Sequence, residues 1–304
     1  MTNRWVTLGM ACAIGAGVFV HVRAQGPQGA GSTTPSGLPL SLGLREKGSS
    51  VTPAFEGWYH NKDGSVSVLV GYLNRNTKQE FDVPVGPNNH VDPGGPDQGQ
   101  PTHFQPGRQW GVFSIKVPKD FGDKKLTWTL TANGFTNSIT LHTKPDYIIE
   151  PYEDAANKNQ PPVIRFEANG KGATGPPSGI AATYTATVKT PLTIDAWVTD
   201  EPPKLNVQTF PGFTPPQPQV KWSVFRAPVT GNAMSGASAT SPVTFDPANP
   251  KIDAAAAGKI STKATFNVPG DYTLRVQAND STGEGGGGFQ CCWTNAHVKV
   301  TVKP

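Results

Sequence analysis

The sequence predicts an all-β protein, with two β-sandwich domains in tandem after a signal peptide and a flexible tether, the C-terminal domain immunoglobulin-like. Three observations carry that expectation. Thr, Val and aromatic residues recur in short runs of alternating polarity, which set one group of side chains on one face of a sheet. Gly (34) and Pro (30) punctuate these runs along the 304 residues, favouring many turns over long helices, and no segment sustains a helical apolar period with caps. Only 16 % of residues are charged and the net charge of +4 is scattered, so no nucleic-acid footprint is visible.

The elements follow in order. Met1–Arg4, an apolar stretch from Trp5 to Val20, and Val22 and Ala24 before a cut after Ala24 have the tripartite form of a secretory signal peptide over residues 1–24. Gly9, Gly15 and Gly17 break the stretch, which falls short of the ~20 residues a spanning helix needs, so a secreted or periplasmic chain without a membrane span is expected. Cys12 leaves with the signal. Residues 25–48 hold too few apolar side chains to offset the entropy of ordering and read as a tether.

The N-terminal sandwich is expected over 49–145. Val66, Val68, Val70 and Tyr72 alternate along one strand, and Leu126, Trp128 and Leu130 along another. Between them lie strands at Glu80–Val85 and Trp110–Val117, and Ser138–His142 closes the domain. Residues 86–108 show almost no strand character, and a loop that long inside a domain is usually functional or disordered. Prolines mark a linker over 146–178, within which Val163–Phe166 reads as a first strand of the next domain. Over 179–304, runs beginning at Leu192, Val220, Ile260, Tyr272 and Ala296 each have the half-buried strand pattern.

Pro269-Gly-Asp-Tyr-Thr-Leu-Arg-Val276 resembles the immunoglobulin-like and PKD-type sandwiches, in which a Pro-Gly turn enters a Tyr-x-Leu strand near the domain end. The resemblance implies that the Tyr272 hydroxyl ties back to the preceding corner and that Trp222 packs the core. It departs from the family in lacking a Cys pair between the sheets, and Trp222-Ser-Val-Phe-Arg-Ala replaces the PKD signature. Gly71-Tyr-Leu-Asn-Arg-Asn76, Val85-Gly-Pro-Asn-Asn89, Gly99-Gln-Pro-Thr-His-Phe104 and Arg108-Gln-Trp-Gly-Val-Phe113 resemble a family of uncharacterised secreted bacterial proteins. That resemblance implies export and leaves function open.

Cys291 and Cys292 are the two cysteines of the mature chain, and an oxidising compartment favours their pairing. Adjacent Cα atoms stand about 3.8 Å apart, closer than the roughly 4.4–6.8 Å usual for disulfides, so a vicinal bond would be strained and reducible. Free thiols, intermolecular bonds and metal ligation are the other readings. The pair follows the glycine run 285–288, and in an immunoglobulin-like topology its loop, 280–293, shares one end of the domain with the loop 200–219. That end would gather Phe210, Phe213, Cys291, Cys292 and Trp293 as a ligand-binding surface. Asp200, Glu201, Asp280 and Glu284 there offer hard oxygen ligands for Ca²⁺, or are solvated loop charges. His90, Asp92, Asp97 and His103 share the long first-domain loop at spacings that match no recognised metal site.

No Gly-x-Ser-x-Gly elbow, His-Glu-x-x-His or phosphate-cradling loop is present. Cys292 and His297, five residues apart, fall on opposite faces of a regular strand. The expected function is therefore a secreted non-catalytic binding, adhesive or structural protein that meets a glycan or protein surface through 200–219 and 280–293, with no cofactor beyond the Ca²⁺ ion. The alternative is an extracellular hydrolase, carbohydrate-active or metal-dependent, using the 86–108 loop, because paired carboxylates need spatial rather than sequence proximity.

Overall fold

The alternating runs become strands in the computed structural model, which describes residues 44–61, 63–154, 158–200, 218–228, 241–280 and 292–304. The first eight strands are β1 (Val51–His60), β2 (Val66–Asn74), β3 (Phe81–Asp82), β4 (Asn89–Asp92), β5 (His103–Phe104), β6 (Gly107–Val117), β7 (Leu126–Ala132) and β8 (Phe135–Leu141). They form antiparallel sheets in the orders β1-β2-β6 and β4-β7-β8, with β3 and β5 as a short pair. Val68, Val70, Phe113 and Ile115 face Trp128, Leu130 and Leu141 across one apolar core. Trp128 is fully buried, edge-on to Phe113 and stacked on Phe104, and its indole N–H donates to Asn89 Oδ1 over 2.9 Å.

The stretch 86–108 departs from expectation. It holds β4 and β5, tied down because Asn89 Nδ2 donates to the carbonyls of Val83 and Pro101. Strand β1 went unread because Pro53 and Gly57 interrupt its pattern; it sits at a sheet edge, where a proline removes no needed donor. The strand expected over Glu80–Val85 shortens to the two residues of β3.

The second half contributes β9 (Val163–Arg165), β10 (Ile180–Thr187), β11 (Leu192–Thr199), β12 (Gln219–Arg226), β13 (Val243–Asp246), β14 (Lys259–Phe266), β15 (Gly270–Asn279) and β16 (Trp293–Lys303). Two four-stranded sheets result, β10-β16-β15-β12 and β13-β14-β11-β9, with β10 parallel to β16. Between them Trp222 is packed by Phe166 and Phe245, among Ile194, Val198, Leu274, Val276 and Val298. Fully burying each such aliphatic side chain contributes about 1.5–3 kcal/mol. The Tyr272 hydroxyl donates to the Val268 carbonyl at 2.8 Å, the corner tie implied by the immunoglobulin-like resemblance. The all-β sandwich architecture is thus realised, and Leu44–Pro304 forms one compact unit.

Strand β15 positions everything that follows. Tyr272, Leu274, Val276 and Ala278 face the sandwich core, yet Arg275, Gln277 and Asn279 on the opposite face are also buried.

Candidate functional site

That second face of β15 and its neighbours is a polar surface covered by the first half of the chain. Arg275 donates from Nε to Asn295 Oδ1 (2.8 Å), from Nη1 to Gln109 Oε1 (3.1 Å) and from Nη2 to the Trp110 carbonyl (3.2 Å). Asn295 Nδ2 donates to the carbonyls of Trp110 and Gly111, and His297 Nε2 lies 3.2 Å from that of Val112. One row of side chains therefore grips three consecutive carbonyls of β6. Burial, with Arg275 beside it, pushes the His297 imidazole down to about 3, so it stays neutral and stacks on Phe225 at 4.1 Å between centroids. Phe225 itself joins the apolar core of the first half.

The same seam takes in Trp293 and Cys292. Trp293, expected on a contact surface, is instead 1 % exposed and packs with Tyr59, Leu69 and Ile149. Its ring abuts Gly111, whose φ is +51° and where an added Cβ would come within 1.8 Å of Trp293 Cη2. Cys292 is disulfide-bonded, 3 % exposed, and held at φ 76°, a left-handed backbone uncommon for a side-chain-bearing residue. Its carbonyl accepts from the Asp280 amide at 2.9 Å. Asp280 is buried with its carboxylate on Asn159 Nδ2, and Asp200 directly follows β11. Phe210, Phe213, Glu201, Glu284 and Cys291 lie outside the described residues.

Beyond the seam the same face carries a groove. At the far end of β12 and β15 the cross-strand pairs Gln219–Asn279 and Lys221–Gln277 form a groove of about 250 Å³, closed on its side by Asn249, Pro250 and Lys251. Gln277 and Asn279 are 6 % and 7 % exposed, yet Gln277 Nε2 and Asn279 Oδ1 are buried without a hydrogen-bond partner among the described residues. Leaving such an atom unmatched costs about 1–3 kcal/mol. The sequence reading missed this groove because Arg275, Gln277 and Asn279 alternate with apolar residues as an ordinary solvent face would. The available signal was two amides in succession where exposed strands more often carry Thr or Lys.

The first-domain acids and histidines separate in space. His90 Nε2 lies 3.3 Å from Asp92 Oδ2, while Asp97 pairs with Arg226 at 2.8 Å. The fully buried His103 stands between two carboxylates, Nδ1 at 2.8 Å from Asp82 Oδ1 and Nε2 at 3.2 Å from Glu80 Oε2, the latter an ion-pair distance without hydrogen-bond alignment. Burial opposes the imidazolium, but the two carboxylates outweigh it and hold His103 up at about 9. Among the described residues no group of three or more His, Cys, Asp or Glu is placed to hold a metal ion.

A second groove of about 240 Å³ lies on the first half, lined by Phe55, Glu56, Arg108, Trp110, Asp146 and Tyr147 among others. Arg108 stacks 3.8 Å above the Trp110 ring and bonds Glu56 at 2.6 Å across the bare backbone of Gly71, where a Cβ would lie 2.1 Å from Glu56 Oε1. Glu56 also accepts from the Gly111 amide at 2.7 Å. Burial raises its affinity for a proton, against the pull of Arg108.

Among the described residues no helix is long and apolar enough to cross a membrane. No protein-family model and no curated protein matches the sequence. Among solved structures the chain is similar to domains 4 and 5 of the S-layer protein SbsC, with 9 % identity, a TM-score of 0.23, and coverage of 84 % of this chain and 98 % of that one. It is also similar to dimeric latent PorU from Porphyromonas gingivalis, with 10 % identity, a TM-score of 0.19, and coverage of 83 % of this chain and 24 % of that one. Both likenesses are too distant to carry a functional argument.

Proposed function

We propose that this is a secreted, non-catalytic binding or structural protein, released from its signal peptide after Ala24 and carried on the 25–48 tether. Its contact surface is the end of the second sandwich where the segments 200–219 and 280–293 meet the sheet. The groove at Gln219, Lys221, Gln277 and Asn279 carries this reading, because two buried amide atoms there are left without a partner among the described residues. Native interiors match nearly all such atoms, and the exceptions call for an explanation. The separation of His90, Asp97 and His103 into different ion pairs supports binding over a hydrolase working from the 86–108 stretch. Capture of the mature protein on extracellular polysaccharide and protein surfaces, wild type beside a Gln277→Ala/Asn279→Ala variant, tests the reading. Binding that drops in the variant at unchanged melting temperature supports it, and full retention overturns it.

The disulfide of Cys292 is proposed to close on its neighbour Cys291, as a rigid kink beside that surface. Intact mass under denaturing, non-reducing conditions with alkylating agent should show a monomer with no alkylated thiol. Two modified cysteines would refute the vicinal bond.

A further inference from the structure

We infer that the groove of β12 and β15 takes a saccharide carrying an anionic group, an assignment that rests on the binding reading above. Six polar side chains define its chemistry: Gln219, Lys221, Asn249, Lys251, Gln277 and Asn279. Four are amides, two are ammoniums, and none of the described lining residues is acidic. Lys221 and Lys251 are exposed at the rim, free to follow a charge, while Gln277 and Asn279 are held in the floor. Two cations with no carboxylate among the described lining residues favour a negatively charged ligand.

The floor selects hydroxyl groups. A carboxamide offers a donor at one end and an acceptor at the other, and the two ends exchange by rotation of the terminal amide. A sugar hydroxyl both donates and accepts, so vicinal hydroxyls satisfy Gln277 and Asn279 in either orientation. The volume, about 250 Å³, lies just below the roughly 300–1,000 Å³ of drug-sized sites and suits one or two sugar rings rather than a folded surface.

An extended peptide fits less well. Peptides that add to a sheet edge need free main-chain groups, and β12, the edge strand here, already donates its Trp222 amide to the Ala248 carbonyl at 2.8 Å. Among the described residues no large exposed apolar side chain lines the groove to anchor a peptide residue.

The test titrates the mature full-length protein, with side-chain amide signals of Gln277 and Asn279 followed by NMR. Four probes are used: an oligogalacturonate (carboxylate), a heparin-derived oligosaccharide (sulfate), a neutral malto-oligosaccharide and an oligoglutamate peptide. Shifts of both amides with one or both anionic saccharides, and affinity weakened about tenfold or more by Lys221→Gln/Lys251→Gln, establish the inference. The first two probes then tell carboxylate from sulfate. Equal binding of the neutral sugar, or no effect of the lysine variant, overturns the anionic requirement. Amide shifts with oligoglutamate alone overturn the saccharide but leave a binding groove standing, and silence with all four probes overturns the saccharide inference. The binding reading itself falls only if the Gln277→Ala/Asn279→Ala variant keeps full surface capture.

Discussion

Gly111 is the position where one missing side chain does the most. Its left-handed backbone and the Trp293 ring above it leave no room for a methyl group. Gly111→Ala should lower stability by about 2–3 kcal/mol through overpacking and backbone strain, seen as a lower urea midpoint with an unchanged slope. His103 and His297 set the pH response in opposite directions. His103, held at about 9, contributes stability that is full below the free-histidine value of about 6.5 and fades as pH rises through 9. His297, held at about 3, contributes above about 6.5 and fades as pH falls toward 3. Urea midpoints should therefore peak near neutrality, and Asp82→Asn should flatten the alkaline limb while leaving the acid limb alone. A profile unchanged on the alkaline side by Asp82→Asn would refute the assignment to His103.

At the scale of the element, β15 shows why sequence legibility stops where it does. Alternation at Tyr272, Leu274, Val276 and Ala278 identified the strand and its core face correctly, because period two is a property of the strand alone. What covers the other face is decided by residues more than a hundred positions away, such as Gln109 and Trp110, so Arg275 and Gln277 read as solvent-facing. Trp293 suffered the same error: its place after a glycine run marked a loop tip, but Gly111 provides a slot that buries it. Strands β10 and β13 escaped notice for a local reason, since Ala- and Thr-rich or four-residue segments give little periodic signal. The row that grips β6 should act as one element. Asn295→Ala leaves the Gly111 carbonyl and Arg275 Nε unmatched, while Arg275 Nη2 still serves the Trp110 carbonyl, and should cost about 2–3 kcal/mol. Pairing it with Arg275→Ala should cost less than the sum of the single variants in a double-mutant cycle.

Across the whole molecule, the two apolar cores meet along this polar seam, and Phe225 of β12 in the second sandwich packs into the first core. Residues 44–304 should consequently melt in a single calorimetric transition with equal calorimetric and van't Hoff enthalpies. Gly111→Ala should lower the midpoint of that transition while leaving it single. Two independent transitions in the wild type would show that the seam does not couple the cores. The placement of β16 bears on load as well. It lies between β15, antiparallel along nearly its whole length, and β10, parallel over His297–Lys303. Inter-strand hydrogen bonds stand perpendicular to the strands in an antiparallel ladder and slant across them in a parallel one. A pull along the axis of β16 from beyond Lys303 thus strains both ladders at once, in shear, and cannot peel them apart bond by bond.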